Sequence, residues 1–218
     1  MAPMRGLYPI VDLTTLTKRN VAPLELAAAL LTARPAILQL RAKHQSPRET
    51  LSLLEQLRPL CRESGTLLFA NDRPDLALLA RSDGVHVGQD DLPLRDVRRL
   101  SPGLRVGVST HDEAQLEQAL AERPDYVAFG PVFTTISKER ADPALGLPRV
   151  ARAAERARTS GIPLVVIGGL TLDHAAELGR LGVVAAVISD LFASGDDLGR
   201  VAQRAQAFQN ALLGSSAT

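Results

Sequence analysis

Short apolar runs alternate along the chain with longer stretches in which apolar residues recur every three or four positions. The short runs fall at 7–11, 36–40, 67–70, 84–87, 105–108, 126–129, 164–167 and 184–188. Runs of this length, bounded by polar or glycine positions, read as buried strands, and the periodic stretches between them read as helices. Ser46-Pro47-Arg48-Glu49 is a capping box with proline at the first helical position. It opens a helix whose Leu53, Leu57 and Leu60 form an apolar stripe and which Gly65 closes. Thr110-His111-Asp112-Glu113 reads as a second capping box, leading into Leu116, Ala119 and Leu120 on one face. Gly161-Ile162-Pro163 separates a further helix from the seventh strand.

Eight strands, each followed by a helical stretch, predict an α/β protein of one closed (β/α)8 (TIM) barrel. A doubly wound open sheet has the same alternation, but the count of eight and the lack of a glycine-rich fingerprint after the first strand favour the barrel. No linker or low-complexity tract divides the chain, so residues 1–213 are expected to form one catalytic domain, with a frayed tail at 214–218. The longest connection, 131–146, follows the sixth strand, and loops of that length in compact folds usually carry function.

Composition narrows the chemistry. Aromatic residues make up only 3% against 45% hydrophobic, which predicts an aliphatic core. The 25 Lys and Arg nearly balance the 24 Asp and Glu, so no global field draws the protein to nucleic acid or a membrane surface. Anion binding must come from a local cluster. Cys61 is the only cysteine, which excludes an intrachain disulfide and a cysteine-built metal site. No run approaches the ~18 apolar residues of a spanning helix, and nothing at the N-terminus reads as a signal peptide. A cytoplasmic enzyme is the expectation, with small-molecule partners and self-association left open.

In a barrel the chemistry sits where strands end and βα loops begin. The second strand ends Gln39-Leu40-Arg41-Ala42-Lys43, and alternation puts Gln39, Arg41 and Lys43 on one side with Leu38, Leu40 and Ala42 on the other. With the apolar set toward the helices, an amide and two cations stand at the barrel mouth. Two cations in a partly desolvated mouth are costly unless an anion joins them; otherwise the strand ends early and both are solvated. The third strand ends Asn71-Asp72, and the fourth runs into Gly88-Gln89-Asp90-Asp91, so a carboxylate from each neighbour can approach a common point. Mg²⁺ takes one or two carboxylates and completes its shell with water and phosphate oxygens; the plainer role for these aspartates is helix capping. His86 reads as a hydrogen-bonded core residue. Ser109 ends the fifth strand, Thr134-Thr135-Ile136-Ser137-Lys138 follows the sixth, Gly168-Gly169 ends the seventh, and Ile188-Ser189 ends the eighth. Two anion sites emerge. Arg41, Lys43, Lys138 and Mg²⁺ suit a diphosphate, and Thr135, Ser137, Gly169, Ile188 and Ser189 suit a monophosphate.

The ordered set of motifs resembles the thiamine-phosphate synthase (thiamine monophosphate pyrophosphorylase) family. It runs from Gly6-Leu7-Tyr8-Pro9 through Gln39 to Lys43, Asn71-Asp72, Gly84-Val85-His86-Val87-Gly88-Gln89-Asp90-Asp91, Gly107-Val108-Ser109, Gly130-Pro131-Val132-Phe133, Lys138 and Ile167-Gly168-Gly169 to Val187-Ile188-Ser189. The resemblance implies a transferase of thiamine biosynthesis. It would join 4-amino-2-methyl-5-hydroxymethylpyrimidine diphosphate to 4-methyl-5-(2-phosphoethyl)thiazole, or its carboxylated precursor, releasing diphosphate. It also implies that Gln39, Leu40, Arg41, Ala42, Lys43, Asn71, Ser109 and Lys138 bind the pyrimidine diphosphate and that Asp72 and Asp91 hold Mg²⁺. Thr135, Ile136, Ser137, Gly169, Ile188 and Ser189 would bind the thiazole phosphate, and Arg41, Lys43, Ser109 and Lys138 would assist departure of diphosphate. Ser137 stands where the family often has threonine, which keeps the hydroxyl. A thiazole tautomerase of the same fold has no diphosphate to expel and does not need Asp72 and Asp91. A non-catalytic thiamine- or phosphate-binding barrel does not need cations around a metal.

Overall fold

A computed structural model describes residues 4–134 and 143–214. Eight parallel strands close into a barrel in sequence order: β1 (Gly6–Asp12), β2 (Ile37–Arg41), β3 (Leu67–Asn71), β4 (Gly84–Val87), β5 (Arg105–Thr110), β6 (Tyr126–Phe129), β7 (Leu164–Ile167) and β8 (Val184–Val187). Pairing of Gly6 with Val184 and Tyr8 with Ala186 joins β1 to β8 and completes the ring. The outer layer is α1 (Leu13–Arg19), α2 (Pro23–Leu31), α3 (Pro47–Ser64), α4 (Pro74–Leu79), α5 (Leu94–Leu100), α6 (Glu113–Glu122), α7 (Leu147–Ser160), α8 (Leu172–Arg180) and α9 (Leu198–Leu213). The expected strands all form, with ends shifted by at most two residues. The proposed tail at 214–218 lies, from 215 on, outside the described residues.

Local signals act mostly as read. Ser46 Oγ accepts from the Glu49 amide while Glu49 Oε2 accepts from the Ser46 amide, Pro47 opens α3, and Gly65 ends it in the left-handed region (φ 75°). The buried face of α3 is centred on Leu54, Leu57 and Cys61, with Leu53 and Leu60 on its flanks. The leucines of this helix cover so wide an arc that spacing alone does not fix the centre. The second capping box is displaced. Thr110 belongs to β5, where its Oγ1 donates to the Ala128 carbonyl (2.8 Å), and Asp112 caps α6 by accepting from the Gln115 amide (2.8 Å). Leu116, Ala119 and Leu120 are buried, as their spacing requires.

Alternation along the strands divides the core into two shells. Leu38, Leu40, Val85, Val87, Val127 and Phe129 point outward and pack against the helices in a mainly aliphatic layer. The barrel interior differs from the aliphatic expectation: it holds both tyrosines, Tyr8 and Tyr126, together with Phe69, Ile10, Ile37, Val165 and Val184. Small barrels have room for rings only where opposing positions are small. Gly84 and Gly107 supply that room. A Cβ on Gly84 would stand 2.4 Å from the Phe69 ring, and one on Gly107 would stand 2.0 Å from Cζ of Tyr126. The Tyr126 ring cannot retreat, since Tyr8 meets it edge-on (6.0 Å) and Phe69 lies against it (5.6 Å). Gly107→Ala is therefore expected to destabilise the barrel by about 1–3 kcal/mol through overpacking, read as a lower midpoint of urea unfolding. An unchanged midpoint would show that the floor is looser than these contacts imply.

Candidate active site

A cavity of about 520 Å³ opens at the C-terminal ends of the strands. A larger hollow of about 790 Å³ lies on the flank of the barrel between α1 and α3, lined in part by Leu16, Thr17, Arg48 and Leu53. The smaller cavity is the better candidate, because barrel chemistry collects at strand C-termini and because the polar strand ends converge there. Gln39, Arg41 and Lys43 all line it, as do Asn71, Asp72, Asp91, Ser109, Gly169, Ile188 and Ser189. Leu40 and Ala42 do not: Leu40 is buried toward the helices and Ala42 packs against the same layer. The Gln39–Arg41–Lys43 side of the alternation thus faces the mouth. Thr135, Ile136, Ser137 and Lys138 lie outside the described residues.

The cations are held by carboxylates. Arg41 Nη1 donates to Asp12 Oδ2 (2.5 Å), and Asp12, only 4% exposed, also accepts at Oδ1 from the Thr15 amide (2.8 Å) as the cap of α1. A guanidinium fixed by one arm keeps its other donors aimed in a set direction. Lys43 Nζ pairs with Asp72. Asp72 does not cap α4: Arg73 occupies that position without a side-chain bond, and Asp72 instead adopts φ 62°. A non-glycine residue in the left-handed region is uncommon and tends to mark functional sites. Asp91 does not cap α5 either, because Pro93 takes that place. Its Oδ2 accepts from the Gly88 amide (2.7 Å). Burial raises the Asp91 carboxyl above its ordinary value, and the neighbouring Asp72 adds to this, while the Gly88 amide and Lys43 oppose it. Two carboxylates crowded at a half-buried point, their capping roles vacant, form a donor pair that a divalent cation fits. Among the described residues no cluster of three metal-ligating side chains occurs, so a cation here would rely on water or substrate for the rest of its shell.

The other rim comes from loops tied together through the backbone. The Val132 amide donates to the Ile167 carbonyl and the Phe133 amide to the Gly168 carbonyl, both at 2.9 Å. Gly169 (φ 63°) sits so close that a Cβ there would meet the Thr134 carbonyl at 2.6 Å. Asp190 fixes the loop after β8: its Oδ2 accepts from the Leu172 amide (3.0 Å) and from Arg204 Nη2 (2.6 Å).

Several residues of the site and of the barrel floor beneath it escaped the sequence reading. Tyr8 and Tyr126 look like ordinary apolar strand positions. His86 is hydrogen-bonded as expected, yet it also lines the cavity, with Nδ1 bonded to the Tyr126 hydroxyl (2.9 Å) and Nε2 to Ser109 Oγ (2.8 Å). Gln89 Nε2 donates to the Ser109 carbonyl (2.5 Å), and His111 Nδ1 is bonded to the Gly130 carbonyl (2.7 Å). Asp12 could have been found only by pairing it with Arg41, 29 positions away. Cys61 is buried in α3, where burial, with Asp83 nearby, pushes its thiol up to about 12, so it is no nucleophile.

A family model described as thiamine monophosphate synthase matches residues 7–191. Thiamine-phosphate synthase of Myxococcus xanthus is 39% identical over 213 residues, covering 97% of this chain and 95% of the relative. That of Chlorobium luteolum is 40% identical over 181 residues, or 81% of this chain and 83% of its own. Among solved structures, thiamine phosphate pyrophosphorylase from Pyrococcus furiosus superposes with a TM-score of 0.81 at 28% identity, covering 97% of each chain.

Proposed function

This chain belongs to the thiamine-phosphate synthase family, a family of transferases in thiamine biosynthesis, and from that premise we propose how its residues divide the work of the reaction. The substrates are the aminopyrimidine diphosphate and the thiazole phosphate, and the products are thiamine phosphate and diphosphate. The observation that carries the assignment is the meeting, in one cavity, of the cations Arg41 and Lys43 with the carboxylates Asp72 and Asp91.

The reaction we propose is dissociative. The bond between the exocyclic methylene and the diphosphate oxygen breaks first, and its electron pair leaves with the oxygen. The aminopyrimidine carries the resulting positive charge, and the thiazole nitrogen then closes the new carbon–nitrogen bond. No protein nucleophile is needed, so the protein contributes alignment and stabilisation of the departing charge. Arg41, oriented by Asp12, and Lys43 bind the diphosphate from the second strand. Asn71 and the Ser109 hydroxyl add neutral donors, and Lys138 adds a third cation. Asp72 and Asp91 would hold Mg²⁺, which when bound neutralises charge on the leaving diphosphate. Thr135 to Ser137, Gly169, Ile188 and Ser189 take the thiazole phosphate; for Leu40 and Ala42, whose side chains face away, only backbone groups can contribute. The unit doing this is one catalytic domain over 1–213. Both substrates carry phosphate charge that a bilayer excludes, so we place the reaction in the cytoplasm.

The decisive test is incubation of the purified protein with both phosphorylated precursors and Mg²⁺. Thiamine phosphate and diphosphate should appear in equal amounts. Tight binding of either precursor without turnover would instead mark a binding barrel.

A further inference from the structure

Gln39 and Ser109 stand on opposite walls of the barrel, on β2 and β5, yet one chain of hydrogen bonds joins them beneath the cavity. Gln39 Nε2 donates to the Tyr8 hydroxyl (2.6 Å), Tyr8 is bonded to the Tyr126 hydroxyl (3.0 Å), Tyr126 to His86 Nδ1 (2.9 Å), and His86 Nε2 to Ser109 Oγ (2.8 Å). The two phenols are fully or almost fully buried, and burial holds both well above their ordinary pKa, so each keeps its proton. Apolar rings would fill the same space without two hydroxyls to satisfy. The chain crosses the barrel and surfaces in the cavity at both ends.

Such a chain has a direction. Each hydroxyl donates one hydrogen, and a neutral imidazole has one donor and one acceptor nitrogen. With Gln39 donating to Tyr8, the proton of Tyr8 goes to Tyr126, that of Tyr126 to His86 Nδ1, and that of His86 Nε2 to Ser109. Ser109 then points its own proton into the cavity. The same sense turns the carboxamide oxygen of Gln39 toward the cavity as an acceptor. Reversing either end reverses the whole chain: the carboxamide nitrogen then faces the cavity, and Ser109 presents a lone pair.

We propose that Tyr8, Tyr126 and His86 are positioning residues that couple recognition of the pyrimidine's amino group at Gln39 to the hydroxyl proton that Ser109 offers the diphosphate. This rests on the substrate assignment above. An amine brings hydrogens to Gln39 and therefore selects the acceptor-facing carboxamide. The relay then sets Ser109 as a donor, the polarity that an oxygen gaining negative charge requires. A ring bearing a carbonyl in place of the amine selects the opposite sense and turns the Ser109 lone pair against the leaving group.

The test is a pair of mutant cycles on kcat/KM for the pyrimidine diphosphate. Gln39→Ala, Ser109→Ala and the double variant are compared with Tyr126 intact, and again with Tyr126→Phe, which deletes one hydroxyl and keeps the ring. With Tyr126 intact, the double variant should lose less than the product of the single losses, by about fivefold or more. In the Tyr126→Phe background the losses should multiply to within about twofold, while KM for the thiazole phosphate stays unchanged. Contact of both residues with one substrate would give non-additivity in either background, so only its disappearance reports the relay. If Tyr126→Phe does not fold, Tyr8→Phe breaks the chain one bond away and carries the same expectation. Equal non-additivity in both backgrounds, with turnover intact, would overturn the relay alone. Absence of turnover in the unmutated protein would overturn the substrate assignment, and the relay with it.

Discussion

Asp91→Asn is expected to lower kcat by roughly 10²–10³-fold, since the Mg²⁺ proposed there would supply several kcal/mol of charge stabilisation to the leaving diphosphate. The replacement is nearly isosteric, and its carboxamide oxygen can still accept from the Gly88 amide that now bonds Asp91. It also removes one of two crowded carboxylates, so the variant should unfold no earlier than its parent. Loss of activity without loss of stability separates a metal role from a structural one. A chelator should abolish turnover of the parent protein, and added Mg²⁺ should restore it. Full activity in chelator would remove the metal from the reaction.

Lys138→Ala is the other large effect expected, and on the proposal above it falls on the chemical step. Charge gathers on the departing oxygen as the carbon–oxygen bond lengthens, so a cation aimed there stabilises the transition state more than the ground state. Loss of one preorganised group of this kind typically costs about 10²–10³ in kcat. The connection that carries Lys138 is anchored on both sides. The Leu145 amide donates to the Pro131 carbonyl and the Gly146 amide to the Val132 carbonyl, each at 2.9 Å, beside the end of β7. Single-turnover rates at saturating substrate should fall with kcat, while KM for the diphosphate changes less. Arginine at this position should rescue only in part, because its planar fork does not reproduce a compact ammonium. A single-turnover rate near the parent's, with weaker binding, would make Lys138 a positioning residue.

What could be read in advance was what local rules control. Strand positions follow from short apolar runs, and the alternation through Gln39, Arg41 and Lys43 gave the correct face because Leu38 and Leu40 have only one place to be buried. Capping was legible at Ser46, where Pro47 reinforces it. It was misread at Thr110, because the hydroxyl that resembles a cap is drawn into β5 by the Ala128 carbonyl on the next strand. Non-local partnerships stayed hidden. Tyr8 and Tyr126 are 118 positions apart, and nothing in either neighbourhood announces that their hydroxyls meet. The anchoring of Arg41 by Asp12 is of the same kind. The glycines that admit the rings were legible as glycines in strands but not as the counterparts of particular aromatics.

Those rings have a kinetic consequence. Tyr8, Phe69 and Tyr126, wedged against Gly84 and Gly107 and sealed by Ile37 and Val184, leave no passage along the barrel axis. Among the described residues the cavity is a well that opens at the C-terminal ends of the strands. Gln39, 2% exposed, is near the bottom, whereas Ser189 stands at the exposed rim. On the site assignment proposed above, the pyrimidine diphosphate read by Gln39 is expected to go in before the thiazole phosphate settles above it at Ser189. Traffic through such a well runs as a stack, last in and first out, so an order of loading would follow from the packed floor alone.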